Sequence, residues 1–86
     1  MLVYVPPPLR SYTKNAHQVN AAGSTLDEIL WQLDQSYPGI RFRIIDEQDR
    51  VRRHIKLFVN EELTEDLATP VQAGGRIHII CALSGG

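Results

Sequence analysis

The chain has 86 residues, enough for one small domain that buries a little over ~60% of its unfolded surface and therefore needs a continuous core. With 43% hydrophobic residues, 22% charged residues and a formal net charge of -1, it has a globular composition, which argues against nucleic-acid binding. No apolar run approaches the ~20 residues that span a bilayer, and the start lacks a signal peptide's basic flank, so we expect a cytoplasmic protein without a membrane partner.

The N-terminal segment predicts two short strands. Residues 1–5 are rich in β-forming side chains, and three prolines end them because proline cannot donate to a ladder. Residues 9–16 read as a loop, and residues 17–22 read as a second strand that stops at Gly23. We expect these strands to form a hairpin with a long connection.

A helix is the clearest element of the sequence. Its apolar stripe has the i, i+3, i+4, i+7 spacing of one helix face: Leu26, Ile29, Leu30 and Leu33, extended by Tyr37. Thr25 as N-cap, with Glu28 three residues later, predicts a capping box. Pro38-Gly39 ends the helix because proline disfavours a helical conformation in the preceding residue.

The segment after this helix is mixed in character. Residues 40–53 hold five arginines around an acidic turn at residues 46–49, and Ile44-Ile45 fits either a short strand or a helical turn. The interleaved acidic residues favour a solvated loop over a phosphate-binding or nucleic-acid-binding site.

Two further strands complete the pattern. Residues 55–60 alternate as a strand with one buried face, residues 60–62 and Gly74-Gly75 read as turns, and residues 76–83 form the last strand. Two strand pairs on either side of one amphipathic helix predict an α+β fold, a mixed sheet packed on that helix. This is the β-grasp arrangement of ubiquitin, here with a domain at residues 1–83 and a flexible tail at residues 84–86.

Alternation in the strands divides the sheet into two faces. Seven residues are expected to face the helix: Val3, Val5, Ile55, Leu57, Val59, Ile77 and Ile79. Large apolar residues then lie on the outer face: Leu2, Tyr4, Phe58 and Ile80, with Arg76 at the edge. Such a patch predicts a protein interface. The alternatives are ordinary scatter of apolar side chains, or cover by the loop that follows the prolines.

The tail carries the chemistry. Consecutive glycines can thread a channel too narrow for side chains, so the carboxylate of Gly86 could enter the active site of another enzyme. A frayed terminus is the alternative. The chain resembles the ThiS/MoaD sulfur-carrier family in six short motifs. These are Gly23-Ser24-Thr25-Leu26, Tyr37-Pro38-Gly39-Ile40, Phe58-Val59-Asn60-Glu61-Glu62, Leu67-Ala68-Thr69, Gly74-Gly75 and the ending Ala82-Leu83-Ser84-Gly85-Gly86. The long arginine-containing segment makes it most similar to the CysO-like branch.

The resemblance implies a mechanism and a set of partners. An E1-like adenylyltransferase of the MoeB/ThiF type would activate Gly86 with ATP, and a sulfur donor would convert it to a thiocarboxylate. A biosynthetic acceptor enzyme would then receive the sulfide, and a metalloprotease would trim the tail or the product. The carrier would be no enzyme and would bind no cofactor. Gly85 would belong to the reactive site together with Gly86, whereas Leu83 and Ser84 would contact partners along with the outer face.

Other functions remain open or are disfavoured. A ubiquitin-like modifier joined through Gly86 to lysines of target proteins needs the same fold and tail, and an interaction domain with an inert tail is a third hypothesis. Cys81 alternates with the inward residues of its strand, which favours a structural cysteine over a nucleophile. His78 lies three residues before it, so the two side chains should point to opposite faces and form no metal site.

Overall fold

A five-stranded mixed sheet packed on a helix forms the structure, a computed structural model that describes residues 1–82. The strands are β1 (Leu2–Tyr4), β2 (Gln18–Asn20), β3 (Ile55–Val59), β4 (Glu62–Thr64) and β5 (Arg76–Cys81). The helices are a 3-10 helix (Pro7–Thr13), α1 (Leu26–Ser36) and α2 (Ile40–Ile44). The sheet order is β2-β1-β5-β3-β4, with β1 and β5 parallel and the other pairs antiparallel. The predicted β-grasp fold is confirmed.

Helix α1 begins at the predicted cap. Thr25 Oγ1 accepts from the Glu28 N–H at 3.2 Å, while the Glu28 carboxylate accepts from the Ser24 N–H at 2.7 Å, one residue earlier than a standard capping box. Gly23 permits this close approach, since a Cβ there would lie 2.9 Å from Glu28 Cβ. The four stripe residues are at most 1% exposed, so the predicted helix face is confirmed: Leu26, Ile29, Leu30 and Leu33.

The inner face of the sheet is the predicted one. All seven inward residues are buried, from Val3 at 0% to Val59 at 7% exposed: Val3, Val5, Ile55, Leu57, Val59, Ile77 and Ile79. Strand β5 lies in the middle of the sheet, so its inward residues occupy the centre of the core against α1. Inward and outward residues therefore alternate strictly along three strands, which determines the face of the sheet that is available to a partner.

The expected loop after the prolines is wrong for most of its length. Pro7–Thr13 is a 3-10 helix, which proline favours at its start because the first turn needs no N–H donors. Leu9 and Thr13 are buried, and the Thr13 hydroxyl lies 3.0 Å from the Ala16 carbonyl oxygen and 3.3 Å from that of Arg10. Local hydrogen bonds and the burial of Leu9 in the core together order the segment, and the burial is not visible in any short-range pattern.

The arginine-containing segment is also more ordered than expected. Ile44 ends α2 and Ile45 bridges to Val51, which resolves the open choice at this pair: a helical turn followed by an isolated bridge. Arg41 is only 8% exposed, so the solvated-loop interpretation is wrong for this residue. Its guanidinium lies 3.0 Å from the Asp27 carboxylate and stacks on the ring of Trp31, with Cζ 3.9 Å from the centroid.

The acidic turn of this segment is held by its own backbone. Asp46 Oδ1 accepts from the N–H groups of Arg50, at 3.0 Å, and Gln48, at 2.9 Å. The hydrogen bond from Arg50 is the main cause that holds the pKa of the Asp46 carboxyl below its ordinary value. The acidic residue thus closes a turn rather than only keeping the segment solvated.

Strand β4 was missing from the prediction. The expected turn at residues 60–62 contains only Asn60 and Glu61, both with positive φ (48° and 76°), as a two-residue hairpin turn requires, and Glu62 already begins the strand. The residues of β4 are exposed or half-buried, so no apolar alternation marks it. Strand β5 ends at Cys81 rather than at the predicted residue 83, with Ala82 outside the strand.

Candidate functional site

The predicted reactive end follows the central strand of the sheet. The predicted reactive residues Gly85 and Gly86 and the predicted partner-binding residues Leu83 and Ser84 lie outside the described residues. What the structure does place is their starting point: the Ala82 N–H donates to the His54 carbonyl oxygen at 2.7 Å, directly after β5. The last described residue is therefore held beside the residue that precedes β3.

A row of large side chains crosses the outer face. Strand register places Tyr4 opposite His78, His78 opposite Phe58, and Phe58 opposite Leu63, so the row spans four strands. The rings of Tyr4 and His78 stack with their centroids 4.4 Å apart and their planes only 4° from parallel. On either side of this row, Leu2 pairs with Arg76 and Ile80 pairs with Lys56.

We call this surface the outer sheet face: Leu2, Tyr4, Phe58, Leu63, Arg76, His78 and Ile80. Leu63 is 57% exposed and Ile80 is 44% exposed, whereas the other apolar members are half-buried by their neighbours. The predicted residues are therefore brought together on one face, and the 3-10 helix after β1 leaves Ile80 open. An apolar centre with Arg76 and Lys56 at its borders has the composition of a protein interface.

Two members of this face were missed by the sequence analysis. His78 alternates with Arg76 and Ile80, so its outward position could have been read from β5, but it was considered only as a metal ligand. Leu63 could not have been found, because its place beside Phe58 depends on β4. His78 fills the gap between Tyr4 and Phe58, and Leu63 extends the row onto the edge strand β4.

No metal site is present in the part of the chain that the structure describes. Within residues 1–82, no three His, Cys, Asp or Glu side chains converge as ligands. His78 lies on the outer face, while Cys81 is half-buried and packs against the core, so the predicted separation of the two is confirmed. Likewise, none of the helices formed by residues 1–82 is both long and apolar enough to span a bilayer.

Two further exposed aromatic residues lie on the helical side. Trp31 on α1 is 50% exposed and Phe42 on α2 is 54% exposed, and an arginine covers one face of each ring. Arg52 stacks on Phe42 at 4.6 Å and donates from Nε to the Phe42 carbonyl oxygen at 2.7 Å. Arg41 therefore connects α2 to α1, and Arg52 connects the end of the segment back to α2.

Comparison with known proteins agrees with this architecture along the whole chain. The ThiS family model matches residues 3–86. The sulfur carrier protein CysO of Mycobacterium tuberculosis is 32% identical over 89 residues, covering 98% of this chain and 96% of CysO. The crystal structure of Mycobacterium tuberculosis CysO superposes with a TM-score of 0.90 at 30% identity, covering 95% of this chain and 98% of that one.

Two other solved structures bear on partners and on the fold. The BexX/CysO complex of Amycolatopsis orientalis contains a chain that matches with a TM-score of 0.90 at 31% identity, covering 99% of this chain and 98% of that one. SAMP1 of Haloferax volcanii, at 21% identity and a TM-score of 0.79, covers 100% of this chain and 98% of its own and shows the shared fold. With a family model that spans nearly every residue and a full-length relative above 30% identity, this chain belongs to the ThiS family.

Proposed function

We propose that this protein is a sulfur carrier whose Gly86 carboxylate is adenylylated and then converted to a thiocarboxylate. The observation that supports it most is the match to the ThiS family through residue 86, on a chain whose final Ser84-Gly85-Gly86 follows β5 after two intervening residues. The similarity to CysO sulfur carriers over almost the full length supports the same function. Delivery of the sulfide to a biosynthetic enzyme completes the proposed cycle.

The chemistry explains why the tail has no large side chains. A free carboxylate has no adequate leaving group, so its oxygen first attacks the α-phosphorus of ATP, pyrophosphate leaves, and an acyl adenylate forms. A sulfur nucleophile from the donor then attacks the acyl carbon, AMP leaves, and the terminus becomes a thiocarboxylate. All of this takes place in partner active sites, and glycine lets the terminus reach them through a narrow channel.

The outer sheet face is the proposed docking surface for the E1-like adenylyltransferase. It is continuous, it borders the start of the tail, and its apolar centre is flanked by Arg76 and Lys56. The CysO protein of Amycolatopsis orientalis was solved in complex with BexX, which supports a second proposal, that this carrier also docks on an acceptor enzyme. A metalloprotease that trims the tail or the product is the remaining proposed partner.

Intact mass measurement tests the proposal. The full chain is incubated with ATP, an E1-like adenylyltransferase and sulfide, and we expect the mass gain of one oxygen replaced by sulfur, confined to the C-terminal peptide. A variant lacking Gly86 is the control and should gain nothing. An unchanged mass would contradict the proposal. If isopeptide conjugates of the carrier on lysines form instead, the protein is a modifier, the alternative that uses the same terminus.

A further inference from the structure

A groove lies where the 3-10 helix meets the ends of β1 and β5. It has a volume of about 310 Å³ and borders Cys81, the last residue of β5. Its lining is mostly apolar, with two basic groups: Tyr4, Val5, Pro6, Pro7, Arg10, His17, Ile79, Ile80 and Cys81. Tyr4 and Ile80 also belong to the outer sheet face, so a protein that covers this face reaches the groove.

The wall of the groove is rigid. Prolines fix φ along the start of the 3-10 helix, and Leu9 and Thr13 anchor it in the core. At its end, Lys14 and Asn15 both adopt positive φ, at 54° and 67°, and the Asn15 N–H donates to the Arg10 carbonyl oxygen at 2.8 Å. A preformed wall lowers the entropy lost when a partner segment binds.

Arg10 is held in position, and most of its donors have no partner among residues 1–82. Its Nε donates to the Val5 carbonyl oxygen at 3.0 Å, which fixes the plane of the guanidinium. Within residues 1–82, no carboxylate forms an ion pair with it, in contrast to Arg41. A guanidinium whose Nη groups are unpaired presents the planar fork that binds a carboxylate with two parallel hydrogen bonds.

The surroundings of the groove are basic. The first 26 residues contain Arg10, Lys14 and His17 but no aspartate or glutamate, and residues 76–82 contain no acidic residue either. Lys56 lies opposite Ile80 on β3. The whole chain has a net charge of -1, so this end of the sheet is positive on a protein that is otherwise slightly acidic. An acidic segment is therefore the complementary occupant.

We infer that the groove binds an acidic, partly apolar segment of the activating enzyme, with a carboxylate of that segment on Arg10 and an apolar side chain against Pro7 and Ile80. This inference rests on the proposed function and names the contact that guides the start of the tail into the enzyme. It also predicts that the outer sheet face provides most of the apolar contact area, while Arg10 orients the bound enzyme segment.

Adenylylation kinetics test the inference with four variants. ATP–pyrophosphate exchange is measured against carrier concentration with the purified E1-like adenylyltransferase and ATP. We expect R10E to raise the KM for the carrier about tenfold with little change in kcat, an effect that shrinks as salt rises. R43E, which reverses an exposed charge on α2, should stay within about twofold of the unaltered chain.

The pair R10Q and R10K separates charge from structure. Both variants lose the Nε hydrogen bond to Val5, but only R10Q loses the positive charge, so R10K should retain a KM closer to that of the unaltered chain. Urea unfolding of all four variants checks that each is folded. R10K keeps the charge but not the planar fork, so its KM should lie between those of the unaltered chain and R10Q. If R10K and R10Q have equal KM values, the positive charge at residue 10 contributes nothing and the inference of a bound carboxylate is wrong.

The remaining outcomes would identify a different occupant of the groove or would contradict the proposed function itself. An R10E variant with a lower KM would mean that the chain's own C-terminal carboxylate occupies the groove, and a sedimenting dimer that R10E dissociates would mean a second copy does. Either result overturns the inference. Equal KM values for R10E and R43E also overturn it while leaving the proposed function intact. Only a complete lack of exchange with the unaltered chain removes the proposed function itself.

Discussion

Single residues in the core carry a large share of the stability of so small a domain. Leu30 lies in the middle of α1 at 0% exposure, in a core where β5 supplies the facing residues Ile77 and Ile79. We expect Leu30→Ala to lower the free energy of unfolding by about 2–5 kcal/mol, because the cavity it leaves collapses only partly. Urea denaturation measures this. Gln35→Ala, an exposed change on the same helix, should stay within about 0.5 kcal/mol.

Arg41 shows how a residue that reads as solvated becomes structural. Its side chain is 10% exposed, bridges Asp27 on α1 and Asp49 at 3.0 and 3.8 Å, and stacks on Trp31. Its Nε is buried, without a hydrogen-bond partner in the described part of the chain. The spacing of charges along the sequence gives no hint of these contacts, since they join residues from α1, α2 and the following turn.

An Arg41 substitution tests this structural role. We expect Arg41→Ala to destabilise the domain by about 2 kcal/mol or more, because packing against Trp31 is lost together with the ion pairs. Arg43→Ala, an exposed neighbour on the same helix, should cost less than about 0.5 kcal/mol. Thermal unfolding of both variants gives the comparison. Equal stability would mean that Arg41 is as solvated as its neighbours.

Elements with a regular pattern could be predicted, and those without one could not. Apolar residues recur with a period of 3.6 in helix α1 and with a period of 2 in strands β1, β3 and β5, and these residues are the ones buried in the core. The five residues of α2 are too few to show a helical period, β4 has no buried face, and the 3-10 helix depends on contacts of Leu9 and Thr13 with the core. The outer sheet face followed from alternation, whereas Leu63 required the register of β4. The tail was identified by its resemblance to a family, because glycines have no pattern of burial.

The start of α1 offers a test of element-level capping. Thr25→Ala should destabilise the domain by about 1 kcal/mol, because the Glu28 N–H loses its acceptor. Ser24 provides a matched control. It is exposed and contributes to the cap only by donating its backbone N–H to the Glu28 carboxylate, and alanine retains that N–H. Ser24→Ala should therefore change the unfolding free energy by less than about 0.5 kcal/mol. Equal costs at both positions, measured by urea unfolding, would contradict the assignment of Thr25 as the cap.

At the scale of the whole molecule, the fold separates stability from chemistry. Within residues 1–82, the buried core extends from Val3 to Ile79. Parallel pairing of β1 with β5 puts the last strand in the middle of the sheet, where the outer sheet face, the groove beside Arg10 and the start of the tail adjoin one another. A partner can therefore hold the domain by one continuous surface while it works on the carboxylate.

Deletion of Gly86 tests this separation. We expect the shortened chain to have an unfolding free energy within about 0.5 kcal/mol of that of the full chain, because residues 1–82 already form a buried core from Val3 to Ile79. We expect the same variant to lose ATP–pyrophosphate exchange. A shortened chain that is adenylylated at its new terminus at the normal rate would contradict the proposed role of Gly86, and a strongly destabilised one would show that the terminus belongs to the fold.

Docking can be tested apart from both the core and the tail. Phe58 and Ile80 lie on the outer sheet face beside the inward residues of the same strands, so Phe58→Ala and Ile80→Ala should leave the α1 packing intact. Interface energy concentrates in a few large side chains, so each variant should weaken binding of the adenylyltransferase by about 2 kcal/mol, more than tenfold in Kd. Phe42→Ala removes an aromatic ring that is 54% exposed on the helical side and should bind normally. Calorimetric titration with urea unfolding of the same three proteins separates the possibilities. If the two sheet variants fold and bind like Phe42→Ala, the apolar residues are surface scatter, and recognition depends on the tail and the groove instead.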